Sequence, residues 1–262
     1  MVRRQMSAVF MAGAYVFPGG RVDAEDGTSA TLGWCDGLRR AEANLPDLAP
    51  DEAVGYHIAA LRELFEEAGI LLARDRDGRI VSSADQDRAD RLASSRPALR
   101  NGDLTLRAIV EDEHLWLALD TIQPCAHWVT PAIDPRRYDT RFYVARLPEG
   151  QAPAHDATET TESRWMTAAE AVERCRRDEI VLPVPTWSTL REIERLGSVD
   201  EVFELAHRRP IVRTQPRLHE EHGLKMLLLP GDPLNPDPLV GARPAETRFI
   251  HDGSHWRATT AP

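Results

Sequence analysis

The chain has 262 residues, enough for one large domain or a core domain with extensions, and 42% of them are hydrophobic, sufficient to fill a core. Its 32 basic and 42 acidic residues leave a net charge of −10, which argues against a nucleic-acid backbone as partner, since that affinity comes mainly from Lys and Arg. No apolar run reaches membrane-spanning length, and three widely spaced cysteines (Cys35, Cys125, Cys175) suggest neither a disulfide framework nor a zinc knuckle, so a reducing cytoplasm is the expected setting.

In chain order, residues 7–17 read as a strand running into the turn Pro18-Gly19-Gly20, and 27–50 as a polar, Gly- and Pro-punctuated insertion. Trp34 and Leu38 are apolar residues inside that insertion. They either pin it to the core or form part of a substrate wall, because long ordered loops are often binding elements. A helix follows at 51–68, with Asp51 as its cap after Pro50, Val54, Ile58, Leu61, Leu64, Phe65 and Ala68 at helical spacing, and Gly69 as its stop. Segments 84–95 and 104–114 look helical, while 122–129, 141–147 and 160–166 read as strands. Thr167 to Glu170 and Ser198 to Glu201 are capping-box patterns opening helices to about Arg177 and His207, with a further helix at about 186–196 between them. The Pro-rich tail still offers strands at 224–229 and 248–256 around Asp252-Gly253. Trp128 and Trp165 read as core or strand-face residues, and His155-Asp156 as a turn.

The end of the 51–68 helix carries the chemistry. At about 100° per residue, with Glu63 at 0°, Glu67 falls near 40° and Glu66 near 300°, opposite the apolar set. Glu63 and Glu67 are like charges at i,i+4, Glu66 and Glu67 are adjacent, and both lie at the negative end of the dipole, each penalty being a few tenths of a kcal/mol. Arg62 can pair with Glu66 at i,i+4 and offset part of this. A solvated acidic face is the ordinary reading of a Glu-rich helix. The sharper one is a site for a hard divalent cation, Mg²⁺ or Mn²⁺, bound through oxygen.

Upstream, Gly20 and Asp26 combine with Arg62, Glu63, Leu64, Glu66, Glu67, Gly69 and Ile70 into a pattern that resembles the Nudix hydrolase signature, Gly-x5-Glu-x7-Arg-Glu-(apolar)-x-Glu-Glu-x-Gly-(apolar). Asp26 stands where the signature has Glu, and 35 residues separate it from Arg62 where seven are allowed, an insertion of 28. A signature split in this way resembles the branch that includes the mammalian peroxisomal coenzyme A diphosphatase and many bacterial relatives. Trp128 to Pro131, Tyr138 to Tyr143, His155 through Trp165, Leu182 to Thr186 and Leu229 to Asp232 extend the likeness over nearly the whole chain.

The resemblance implies a Nudix-type α/β/α sandwich with a mixed sheet over residues 1–182, followed by a helical and strand-containing extension over 183–262. Such domains usually begin with a strand ahead of the segment that here reads Val2-Arg3-Arg4. Either the start codon was assigned downstream of the true one, which is the favoured reading, or a neighbouring edge is exposed. The resemblance further implies a metal on Glu63, Glu66 and Glu67 with the Gly20 carbonyl, Arg62 orienting the carboxylates, and Glu63, Glu159 or Glu162 as general base. Arg137 and Arg141 are candidate phosphate clamps through their guanidinium forks, or ordinary surface ion pairs. The implied reaction is hydrolysis of a nucleoside diphosphate derivative, coenzyme A or acyl-coenzyme A first, with ADP-ribose, dinucleotides and nucleotide sugars open. The partners expected are that small molecule, with neither nucleic acid nor membrane, and room for a homodimer. A metabolite-sensing Nudix domain without catalysis is the alternative from another class.

Overall fold

The structure is a computed structural model describing residues 1–7, 11–27, 33–83, 85–131, 137–154 and 160–259. Two compact units are each assembled from separate stretches of chain: Met1–Ala8, Phe17–Gln123 and Ala145–Arg164 form one, and Val9–Val16, Pro124–Val144 and Trp165–Pro262 the other. No helix among the described residues is long and apolar enough to cross a membrane.

In the first unit, helix α1 (Leu38–Asn44) and the strand Cys35–Asp36 both arise from the insertion. That strand lies parallel to Trp116–Ala118, which pairs antiparallel with Ala73–Arg74, giving a small mixed sheet. The insertion is therefore built into the fold rather than laid over it. Trp34 is buried and its carbonyl accepts from the Leu117 amide at 2.8 Å, so it anchors the segment, while Leu38 is half-buried.

Helix α2 (Pro50–Ala68) is the long element of this unit. Pro50 takes the first helical position, where its missing N–H and fixed φ cost nothing, so the cap falls on Ala49 and not on Asp51. Asp51 and Glu52 instead occupy the first turn, favourable for the dipole. Val54, Ile58, Leu61, Phe65 and Ala68 are buried, and Gly69 ends the helix at φ 71° with its amide on the Phe65 carbonyl at 2.9 Å. Gly55 lies mid-helix, where glycine costs about 1 kcal/mol relative to alanine. A Cβ there would stand 3.2 Å from the Gly27 Cα, so its absence lets the Asp26-Gly27 backbone rest on the helix.

Helices α3 (Gln86–Arg100) and α4 (Leu106–Asp112) are capped by Asp85 and Thr105, which accept from the Arg88 and Ala108 amides. The strand Val2–Arg4 pairs antiparallel with Thr160–Ser163, setting Arg3 opposite Glu162.

The second unit contains helices α5 (Ala168–Arg176), α6 (Val184–Ile193) and α7 (Val199–Arg208). Thr167 and Ser198 cap α5 and α7 through the Glu170 and Glu201 amides, as their patterns predict. An antiparallel meander joins Arg217–Glu221, Leu224–Leu228, Arg248–His251 and Trp256–Thr259. Its first turn, His222-Gly223, has positive φ at both positions, the geometry that matches strand twist in two-residue hairpins. The strand expected over 7–17 is only Tyr15–Val16, because Met11 and Gly13 adopt left-handed φ and turn the chain; residues 8–10 lie outside the described residues. Trp128 is buried as expected, whereas Trp165 is 68% exposed.

His57 on α2 is fully buried, its Nδ1 2.8 Å from the Ala53 carbonyl and its Nε2 3.4 Å from Asn44 Nδ2. Nδ1–H donates, Nε2 accepts, and burial lowers the imidazole pKa to about 4 despite that backbone bond. The unfolded chain takes up this proton at its ordinary pKa of 6.5 and the fold resists until about 4, so the stability is present above pH 6.5 and is lost as pH falls toward 4. The full change is on the order of 3 kcal/mol. Denaturant midpoints of the protein and of His57→Gln should therefore converge as pH drops from neutrality to about 4; a gap independent of pH would contradict it.

Candidate active site

The site forms where the chain from Gly19 to Asp26 crosses the last turns of α2. Arg62 is the link. Its Nε and Nη2 donate to Asp26 Oδ1 and Oδ2 at 3.2 and 3.0 Å, and Nη2 also donates to the Arg21 carbonyl at 2.8 Å. Its Nη1 donates to Glu63 Oε1 at 2.9 Å and Glu66 Oε1 at 3.2 Å. One planar fork thereby binds the loop on one edge and two helix carboxylates on the other. Burial disfavours the guanidinium charge, but Asp26 foremost, then Glu63 and Glu66, more than offset this and hold its pKa above the usual arginine value.

Asp26 is buried, and its Oδ2 also accepts from the Asp23 amide at 2.8 Å, closing a tight turn. The aspartate that stands in place of the signature's glutamate thus makes a bidentate contact with Arg62. Its loop backbone lies against Gly55, close enough for the shorter side chain to reach. The Gly19 amide donates to Glu67 Oε2 at 3.0 Å. A Cβ built on Gly20 would stand 2.5 Å from Glu63 Cδ and 2.7 Å from Oε2, so a side chain at this position would displace the Glu63 carboxylate.

The side chains of Glu63 and Glu66 are 14% and 13% exposed, and Glu67 is 9% exposed. A solvated acidic face is therefore not what the helix presents. The carboxylates oppose the core, but the Gly19–Asp26 chain covers them. Sheltered carboxylates beside a backbone turn are costly unless paired or bound to a cation.

A divalent cation is implied by the Nudix resemblance. The donors fit in kind, being hard oxygens beside a backbone that glycine brings close. Arg62 and the Gly19 amide already engage these oxygens, however, and among the described residues no three His, Cys, Asp or Glu side chains stand together at metal-binding spacing. Glu63 and Glu66 are brought side by side, and Glu67 stands with Gly19.

Of the other predicted residues, Glu162 lies in Thr160–Ser163, ion-paired with Arg164. Glu159 and His155-Asp156 lie outside the described residues. Arg137 and Arg141 belong to the second unit, Arg137 exposed and Arg141 half-buried with its Nε 3.9 Å from Asp139 Oδ1. Sequence reasoning missed Asp23, whose Oδ2 is 3.3 Å from Arg62 Nη2, and the Gly19 amide. Neither carries a residue-type signal, since one is an ordinary surface aspartate and the other a backbone group.

Residues 36–196 match the family model described as the NUDT19 Nudix domain, more than half of the chain. The chain belongs to the Nudix hydrolases. It is 26% identical over 275 residues to the acyl-coenzyme A diphosphatase NUDT19 of Xenopus laevis, covering 90% of this chain and 71% of that protein. It is 30% identical over 279 residues to the protein of the same name from Gallus gallus, covering 90% and 72%. The crystal structure of a Nudix hydrolase from Alicyclobacillus acidocaldarius superposes with a TM-score of 0.61 at 24% identity, covering 78% of this chain and 86% of that one, and shows the α/β Nudix fold.

The Arg62 fork separates two aspartates by burial. Asp26→Ala leaves a buried guanidinium without its main partner and should destabilise the protein by about 3–5 kcal/mol. Asp23→Ala removes a carboxylate that is 60% exposed and should cost under about 1 kcal/mol. Urea denaturation of both variants decides this, and equal losses would contradict the assignment of Asp26 as the anchor.

Proposed function

We propose that this Nudix hydrolase opens the diphosphate linkage of coenzyme A or an acyl-coenzyme A in the presence of Mg²⁺ or Mn²⁺. The products are a phosphopantetheine species and adenosine 3′,5′-bisphosphate. The observation that carries the reading is the Arg62 fork, which holds Glu63 and Glu66 together under the Gly19-Gly20 backbone. The names of the relatives from Xenopus and Gallus supply the substrate class.

Glu63, Glu66, Glu67 and the Gly20 carbonyl would hold the cation. Such an ion, when bound, neutralises charge on the phosphate oxygens and lowers the pKa of water. Arg62 keeps the carboxylates aligned and does not itself reach the substrate, since Asp26, the Arg21 carbonyl, Glu63 and Glu66 occupy its donors. A water oxygen attacks phosphorus, the anhydride P–O bond breaks toward the leaving phosphate, and the water's proton passes to a carboxylate. Glu63, Glu159 and Glu162 are the candidates for that base, which must reach the water directly or through one other. Arg137 and Arg141 are the proposed clamps on the substrate phosphates.

The test is a Mg²⁺ and Mn²⁺ panel of coenzyme A, acyl-coenzyme A, ADP-ribose, dinucleotides and nucleotide sugars with products identified by mass. Cleavage of coenzyme A or its esters to adenosine 3′,5′-bisphosphate is expected. Preference for another member moves the substrate, and no cleavage at all favours a sensor. Glu66→Gln and Glu67→Gln should each lower turnover at least about a hundredfold with the fold retained, because like-charge repulsion is relieved as ligands are lost. Wild-type turnover in both would sink the carboxylate assignment.

A further inference from the structure

The acidic end of α2 is met by a second cation that lies outside the signature. Arg96, on α3, places its Nη2 2.8 Å from the Glu66 carbonyl and 2.8 Å from the Ala154 carbonyl. The Glu66 carbonyl belongs to the last turn of α2, where carbonyls lack helical partners and the dipole is negative. The seat is shaped by Gly69, since a Cβ there would stand 2.9 Å from Arg96 Nη1. Gly69 thus serves twice, as the left-handed helix stop and as the space for this guanidinium.

The chain that Arg96 ties to the helix is otherwise stitched to the same end. The Ala154 amide donates to the Ala68 carbonyl at 2.9 Å. Gln151 receives the Leu71 amide at 2.9 Å and donates to the Leu71 and Val81 carbonyls at 2.9 and 2.7 Å. Arg96 spans from this strap to the residue that carries a candidate ligand.

We infer that Arg96 is a positioning residue for the hydrolytic site: by bridging the Glu66 and Ala154 carbonyls it fixes the last turn of α2 and so the direction of the Glu66 and Glu67 carboxylates. This deepens the proposed function and rests on that reading of the carboxylates. Positioning and simple charge screening differ in sign. Removing a cation beside carboxylates would tighten divalent-ion binding by Coulomb's law, whereas losing their alignment weakens it.

The experiment compares Arg96→Met and Arg96→Lys with the wild type by Mn²⁺ calorimetry and by kcat and KM on coenzyme A, with folding checked by circular dichroism. Expected for Arg96→Met is Mn²⁺ affinity at least about fivefold weaker and kcat at least about tenfold lower with KM little changed, and for Arg96→Lys a partial recovery of both, since one ammonium can still donate to two carbonyls. Mn²⁺ affinity unchanged or tighter in the folded Met variant would overturn the inference. Should Arg96→Met not fold, Arg96→Lys decides: a measurable loss of Mn²⁺ affinity supports the role, and wild-type affinity overturns it. If the wild type cleaves no member of the panel while Mn²⁺ binding still depends on Arg96, the substrate assignment fails and the positioning role stands.

Discussion

Five donors on one guanidinium hold this site together. A buried arginine is tolerable only when its whole fork is occupied, and Arg62 meets that demand with one loop carboxylate, one loop carbonyl and two helix carboxylates. The same bonds that keep Arg62 charged also draw Glu63 and Glu66 together against their mutual repulsion. A cation that enters must share oxygens with a guanidinium already in place, which makes the carboxylates an exchangeable pairing and not an open bowl.

The crowding of negative charge at a helix C-terminus is the local rule this sequence breaks. The offset comes from two directions. Arg62 supplies it from within the helix, as i,i+4 spacing allows, and Arg96 supplies it from α3 through a backbone carbonyl. The first is visible in the sequence and the second is not, because Arg96 lies 30 positions beyond Glu66 and nothing in its neighbourhood distinguishes it from Arg91 or Arg100.

What the sequence discloses here follows from how local each cause is. The course of α2, its glycine stop and the Thr167 and Ser198 caps depend on a few adjacent residues and were readable to within a position or two. The start of α2 was displaced because Pro50 competes with Asp51 for the first turn, and the fixed φ of proline wins. The insertion reads as polar loop, yet Ala41 and Leu45 are buried and Cys35–Asp36 pairs with a strand over 80 residues away, a contact that no window of sequence reports. Trp165 illustrates the opposite error, since a large aromatic is a strong burial signal in general and is exposed at this position. The signature residues were legible as a set. Their shelter was not, because it comes from a covering loop whose path depends on a glycine elsewhere.

That glycine is Gly55, against which the backbone of Gly27 comes to rest. Two positions without side chains meet there, one at the exit of the insertion's first limb and one on the helix the second limb enters. Closing a spacer of 35 residues instead of seven adds only about 1.4 kcal/mol of chain entropy, a sum that a strand and a helix of its own readily offset. The chain entropy of the interruption is consequently of little thermodynamic weight, so long as this bare-backbone contact rejoins the two halves.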